Sequence, residues 1–395
     1  MNADFVVIGG GVIGISIARE LKRRHADSSV LLIEKEPELG IHASGRNSGV
    51  LHAGFYYTAD SLKARFCRDG NHAITQFCHE HGLKFNACGK LVVARNDAEL
   101  TQLDELKRRA DVNGVSLESI SADEAHAIEP RVKTHERALY SPTTATIDPD
   151  EVMRAFRAEA ERAGVRIRTG VAYRGRKDHK LVTDLGEIGF GTVINAAGLY
   201  ADRIARDFGF SQDYRILPFK GLYLYAAENS PPFRTNIYPV PDLRNPFLGV
   251  HVTVTVEGKA KLGPTAIPCF WREHYAGLQN FRADEFAEIV SMELGLFLKA
   301  GFDFRGLAAR ELRKYSRTTL ASQANELAEG IEADSFRHWG RPGIRAQLLK
   351  IKSRTLVMDF LIEKDERSLH VLNAVSPAFT CALPFAAHVC DQLAI

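Results

Sequence analysis

The chain opens on Phe5-Val6-Val7-Ile8, an unbroken apolar run of the kind that marks a strand buried on both faces. After a cluster of glycines, Val12 to Leu21 reads as a helix, and Val30-Leu31-Leu32-Ile33-Glu34 as a second buried strand. Strand, helix and strand within about thirty residues predict a βαβ unit and a parallel sheet. Leu62-Lys63-Ala64-Arg65-Phe66 fits one turn of an amphipathic helix. A second α-to-β passage starts at Asp148, an N-cap with Pro149 in the first turn. Val152, Met153, Phe156 and Ala160 share one face of that helix, and Gly164 ends it. Strands are predicted at Val165–Ile167 and Gly191–Asn195. From Ile216 to about Gly263 β-formers alternate with Gly and Pro, which predicts antiparallel sheet, half exposed. Helical patterning returns from Arg282 to about Gly330. One more strand, Leu369–Asn373, leads into a helix over roughly Ala378–Leu393.

Composition narrows the function classes. A chain of 395 residues with 45% hydrophobic and 25% charged positions has globular proportions, and its length favours two lobes over one. Fifty-one basic against 49 acidic side chains leave a net charge of +2, which gives no long-range attraction to nucleic acid or anionic lipid. The six cysteines form no CxxC pair and no metal-ligand spacing with histidine, so buried reduced thiols and no metal are expected. No signal peptide is visible and no apolar stretch reaches the ~18 residues that span a bilayer. The expected location is the cytoplasm, with peripheral attachment at the inner face of a membrane as the variant compatible with a quinone partner.

Gly9-Gly10-Gly11-Val12-Ile13-Gly14 fits GxGxxG through Gly9, Gly11 and Gly14. It follows a strand and opens a helix, and Glu34, with Lys35 beside it, closes the next strand. Gly9 permits the tight turn, Gly11 lets the backbone approach a pyrophosphate, and Gly14 lets the helix pack on the sheet. The helix start at Val12 and Ile13 offers free N–H groups and partial positive charge to phosphate. Glu34 suits ribose hydroxyls and would repel a 2′-phosphate, which disfavours NADP.

The loop that follows points to FAD over NAD. Gly40 to Gly54 is dense in Gly and Ser where an NAD enzyme usually continues into a helix. Ser44 and Arg46 can donate to phosphate oxygens, and Gly45 and Gly49 allow close backbone approach. Asn47, Ser48 and Val50 belong to the same cradle. Asn195-Ala196-Ala197-Gly198 ends a strand in small residues, as a backbone passing close to a nucleotide requires. Ser376-Pro377-Ala378 opens the last helix, whose positive end could face a reduced flavin.

Ser44-Gly45-Arg46-Asn47-Ser48-Gly49-Val50-Leu51-His52-Ala53-Gly54 resembles the FAD-dependent oxidoreductases of the D-amino-acid oxidase superfamily, which includes glycine oxidase and sarcosine oxidase. Shorter matches are Ser61–Arg65, Ile237–Asp242, Phe247–His251, Gly343–Gln347 and His370–Asn373, and within the superfamily they are most similar to L-2-hydroxyglutarate dehydrogenases and oxidases. The resemblance implies an α/β fold: a discontinuous Rossmann-like FAD-binding domain of GR2/DAO type (1–85, 141–215 and 336–395) interleaved with an antiparallel-sheet α+β substrate domain (86–140 and 216–335). It also implies oxidation of L-2-hydroxyglutarate to 2-oxoglutarate, with electrons passed to oxygen, a quinone or an electron-transfer protein. The chain departs from the pattern at Lys220, Pro342 and Val375, where an arginine, a small residue and a proline are usual. These changes leave the flavin framework intact and bear on the substrate, because the Lys220 strand is expected to line its pocket.

Oxidising an alcohol removes a hydride from carbon and a proton from the hydroxyl, and histidine is the usual base near neutral pH. His52, just past the flavin loop, and His251, in a β-run after Gly249, have the best contexts. A substrate carboxylate wants a bidentate donor, and Arg345 resembles the carboxylate-binding arginine of glycine oxidase. A second carboxylate would need a second cation, for which Lys63, Arg65, Lys220 and Lys261 are candidates; Tyr56 and Tyr238 could line the cavity. Two other readings stay open here: an amino-acid or secondary-amine oxidase of the same fold, and a non-catalytic FAD-binding protein.

Overall fold

The computed structural model describes residues 1–228, 230–241 and 247–393. Its first strand, Asn2–Ile8, pairs in parallel with Val30–Ile33 on one side and with Gly186–Asn195 on the other. Arg166–Arg168 and Ser368–Asn373 extend the parallel sheet at its two sides, and hairpin strands at 173–183 and 361–364 are added antiparallel. Burial on both faces explains the unbroken apolar run. Phe5 and Val7 enter one core while Val6 and Ile8 enter another, as successive side chains of a strand must. The first core is roofed by helices Val12–Arg24, Leu62–Glu80, Pro149–Arg162 and Ala382–Asp391. Asp148 caps the third of these by accepting from the N–H groups of Asp150 and Glu151.

A second eight-stranded sheet runs in the order 336–339, 224–226, 260–263, 251–254, 236–239, 90–93, 137–141, 118–121. Neighbours are antiparallel except Asn236–Pro239 on Lys90–Val93. A four-stranded sheet is centred on Tyr214–Gly221 paired with Gly343–Lys350. Strands within residues 336–356 hydrogen-bond into these antiparallel sheets.

The half-exposed sheet expected from Ile216 onward is not what forms. Asn236–Pro239, His251–Val254 and Ala260–Gly263 are buried throughout. Their apolar face, with Ile237, Val252 and Leu262, packs on Leu320, Ala321 and Ala324 of helix Arg317–Asn325. The register puts Lys90, Tyr238, His251, Thr253 and Lys261 on the opposite face. The polar alternation is real, but that face is turned inward. Asp242, the end of one quoted motif, lies outside the described residues.

The last helix also starts later than expected. Ser376, Pro377 and Ala378 form a turn, and regular helix begins at Ala382.

A buried ion pair joins the two sheet systems. Asp202, at the start of helix Ala201–Asp207, accepts from Arg272 Nη1 at 2.6 Å and Nη2 at 3.0 Å, and from the Ile216 N–H at 3.1 Å. Both side chains are fully inaccessible to solvent. Replacing Asp202 by asparagine keeps the shape but leaves Arg272 with Glu288 at 3.3 Å as its acidic partner. The expected cost is about 3–5 kcal/mol in denaturant unfolding. A loss below about 1 kcal/mol would show that Glu288 alone compensates the guanidinium.

Candidate active site

A cavity of about 1100 Å3 runs from the glycine turn to His52, Tyr223 and Arg345. Gly9 sits at φ +107°, closed to ordinary side chains, and a Cβ there would strike the Ala196 carbonyl. A Cβ on Gly14 would overlap the Gly9 carbonyl oxygen, so Gly14 serves the close helix–strand packing expected of it. Gly11, Val12 and Ile13 line the cavity where the helix begins. No side chain of the cap residue closes that end; the Val12 N–H is taken by Ser44 Oγ at 2.8 Å. Glu34 lies at the edge of the cavity with its carboxylate oriented by the N–H groups of Gly10 (2.6 Å) and Glu36 (2.9 Å). Each oxygen keeps a lone pair for a hydroxyl. Lys35 bonds Glu273 at 2.7 Å and also Glu36, and turns toward the ring of Tyr200.

The loop after Glu34 is held mostly by its own chain. Arg46 lines the cavity, yet its Nε donates to the Ile41 carbonyl (2.7 Å), its Nη1 to that of Pro342 (3.3 Å), and its guanidinium lies 4.4 Å from the centre of Tyr275. Asn47 bridges the Ser44 carbonyl and the Gly49 N–H. The close approaches expected at Gly45 and Gly49 are made to protein, not to the cavity: a Cβ would strike Asp150 and Gly40 at the first, Ile147 at the second. Ser44, Ser48 and Val50 line the cavity, as do Ala196, Ala197 and Gly198 and the turn of Ser376, Pro377 and Ala378.

His52 follows the short strand Val50–Leu51 and lines the far end of the cavity with Tyr223 and Arg345. Its N–H donates to Thr380 Oγ1 at 3.2 Å, which ties it to the turn before the last helix. Its Nδ1 is buried without a hydrogen-bond partner among the described residues. His251 lies parallel to Tyr238, ring centres 3.7 Å apart, and its Nδ1 meets the Gly249 carbonyl at 2.9 Å. That contact requires the proton on Nδ1 and leaves the Nε2 lone pair as a base. Burial holds His52 well below the usual histidine range, and Lys90 and His251 push the same way. Burial takes His251 down to about 3 against the pull of the Gly249 carbonyl, with Lys90 and Arg345 adding to the drop. Both imidazoles are neutral at physiological pH. Arg345 Nη1 donates to the Thr265 carbonyl at 3.2 Å and the guanidinium lies 5.4 Å from the centre of Phe247; it has no acidic ion-pair partner among the described residues.

The other expected cations separate. Lys63 is buried, with Asp359 as its attracting charge, and stands outside the cavity wall. Lys220 pairs with Ile344 and so points away from Arg345, toward Cys269 and His274. Arg65 lies over Phe66. Lys261 is buried on the inward face between Tyr223 and Tyr225. Sequence reasoning missed Tyr223, whose β-rich surroundings carry no distinguishing signal, and Lys90. For Lys90 the available signal was a lysine opening the otherwise apolar strand Lys90-Leu91-Val92-Val93.

A nucleotide-binding glycine turn on a parallel sheet, opening into a cavity lined by Arg345 and the neutral His52, with the neutral His251 buried within electrostatic range of both, defines an oxidoreductase that works with a dinucleotide cofactor. The chain belongs to the DAO family of FAD-dependent oxidoreductases, whose profile matches residues 4–392. It is 33% identical over 408 residues to L-2-hydroxyglutarate dehydrogenase of Escherichia coli (strain K12), covering 99% of this chain and 93% of the relative. It is 34% identical over 414 residues to the mitochondrial L-2-hydroxyglutarate dehydrogenase of Homo sapiens, covering 99% and 88%. In fold it matches FAD-bound, dithionite-reduced L-alpha-glycerophosphate oxidase from Mycoplasma pneumoniae, with a TM-score of 0.79, 21% identity and coverage of 100% and 95%. Glycine oxidase from Geobacillus kaustophilus gives 0.71 at 19% identity, covering 99% and 94%. FAD is the cofactor, and the reaction takes a small substrate and an electron acceptor. No helix among the described residues is long and apolar enough to cross a membrane.

Proposed function

We propose that this chain oxidises L-2-hydroxyglutarate to 2-oxoglutarate. The observation that carries the reading is the convergence of Arg345 with the two neutral imidazoles beside the nucleotide cleft, in a chain alike over its full length to dehydrogenases of that acid. When bound along the cleft, FAD supplies a two-electron acceptor for the hydride leaving C2. The uncapped helix start and Ser44 suit its diphosphate, and Glu34 its ribose. Arg345 holds the carboxylate next to C2. His52, with His251 within electrostatic range, takes the hydroxyl proton, so that the alcohol loses a hydride from C2 and a proton from its oxygen as the C2–O bond becomes a carbonyl. The interleaved division into FAD-binding and substrate-binding parts belongs to the same reading, and the pairing of strands within residues 336–356 with the antiparallel sheets supports counting those residues on the substrate side.

The acceptor is oxygen, a quinone or an electron-transfer protein, and we place the chain in the cytoplasm or at the inner face of a membrane. Attachment is supported by an apolar surface on helix Ala283–Leu298, where Phe286, Leu294, Phe297 and Leu298 are exposed.

Mixed anaerobically with purified holoprotein, L-2-hydroxyglutarate is expected to bleach the flavin much faster than D-2-hydroxyglutarate, lactate, glycerol 3-phosphate, glycine or sarcosine. Bleaching by an amine alone would transfer the chain to the amine oxidases. Absence of bleaching by every compound would leave a flavin-binding protein without this chemistry.

A further inference from the structure

Five lysines are buried among the described residues: Lys63, Lys90, Lys220, Lys261 and Lys314. Four have an evident occupation or face elsewhere. Lys314 pairs with Glu311 at 2.5 Å, Lys63 is drawn to Asp359, Lys261 meets the Tyr225 hydroxyl at 3.5 Å, and Lys220 points toward Cys269. Lys90 is different. It is wholly inaccessible to solvent, and its Nζ has no hydrogen-bond partner among the described residues. It lies 4.5, 5.2 and 5.3 Å from the ring centres of Tyr238, Tyr56 and Phe55.

Ring faces attract an ammonium but do not accept its three N–H donors as a carboxylate would. A buried ammonium with no counter-charge is costly, and burial alone pulls this one down to about 7. Further orphaned polar atoms stand on the same side of the molecule, Tyr238 Oη and Thr253 Oγ1 among them. His52 Nδ1 and Tyr56 Oη are buried without partners, Tyr56 beside Lys90 and His52 within reach of its charge. His251 lies within electrostatic range of both Lys90 and Arg345, and His52, which also feels Lys90, lines the cavity together with Arg345. Lys90 stands on the His251 side of the sheet because the parallel register of Lys90–Val93 on Asn236–Pro239 turns Lys90 and Tyr238 to the inward face.

We propose that Lys90, with the Tyr56 hydroxyl beside it, binds the second carboxylate of a dicarboxylic 2-hydroxy acid whose first carboxylate is held by Arg345. This rests on the hydroxy-acid reading above and adds the residue that selects a dianion over a monoanion. Lys90 acts in binding; the proton and the hydride leave from the other end of the substrate.

The test compares L-2-hydroxyglutarate with L-2-hydroxyvalerate, which keeps the chain length and replaces the distal carboxylate by methyl. In Lys90→Met holoenzyme, kcat/KM for anaerobic flavin reduction is expected to fall about 100-fold or more for the dicarboxylate and to stay level or rise for the monocarboxylate, the scale of losing a charge-assisted hydrogen bond in a buried site. Most of the loss should fall in KM, and Lys90→Arg should recover part of it. Equal losses for both acids, or none for either, would overturn the assignment. Should Lys90→Met fail to fold with flavin, wild-type protein still decides. Spectral titration of the bound flavin should show glutarate binding about 100-fold more tightly than valerate, and equal affinities would overturn the proposal. If wild-type enzyme is not reduced by L-2-hydroxyglutarate at all, the functional reading itself has failed; if it is reduced but the variant does not discriminate, only the role of Lys90 has.

Discussion

Alanine at His52 is expected to slow flavin reduction by the hydroxy acid by about 10²- to 10⁴-fold, with flavin content unchanged. The hydroxyl proton is held too tightly to leave unaided at neutral pH, and His52 is the base candidate that lines the cavity itself. Its imidazole is kept neutral by burial first and by Lys90 and His251 second, so it presents a lone pair without first losing a proton. The same physics sets the pH dependence. A histidine whose folded pKa is depressed keeps its base form as pH falls through the ordinary histidine range, and loses it only at more acid pH. The kcat/KM for flavin reduction should therefore show no acid limb from His52 or His251 across roughly pH 5 to 8. A loss of under about tenfold in stopped-flow reduction of the alanine variant would remove His52 from the proton transfer.

Leucine at Arg345 is expected to cost about 2–5 kcal/mol of transition-state binding, or roughly 30- to 5000-fold in kcat/KM for flavin reduction. The guanidinium is fixed on one side by the Thr265 carbonyl and has no acidic side chain within ion-pair distance among the described residues, which leaves its other donors for a ligand. Its strand, Gly343–Lys350, is paired along its whole length with Tyr214–Gly221, which holds the fork in place before substrate arrives. Lysine at this position should recover little, because a point charge does not reproduce the two parallel hydrogen bonds. Unchanged steady-state and single-turnover rates in Arg345→Leu would place the carboxylate elsewhere in the chamber.

The nucleotide half of the site was legible because its constraints are local. Gly9, Gly11, Gly14 and Glu34 lie within one βαβ unit, and the positive φ of Gly9 and the packing of Gly14 on Gly9 are set inside it. The loop from Gly40 to Gly54 was legible only as a cradle. That Gly45 and Gly49 approach Gly40, Asp150 and Ile147 depends on a helix and a strand a hundred residues away. The substrate half was read less well for the same reason. Lys220 and Arg345 are both cations in strands, but their places in one pairing register send them to opposite faces. Nothing within either segment states that register.

By itself the sequence determined the parallel sheet, the dinucleotide turn, the acid that closes the second strand and the alternation of polar with apolar positions in the later strands. Those features follow from periodicity and from conformations that only certain residues adopt. Tertiary structure decided which way the alternation faces. The strands carrying Tyr238, His251 and Lys261 read as half exposed, yet helix Arg317–Asn325 takes their apolar side and the polar side is buried as well. A polar stripe on a strand is the same whether it meets water or a buried ionic substrate, because period two records only that two faces differ. Which of them becomes the chamber is set by packing between segments far apart in the chain.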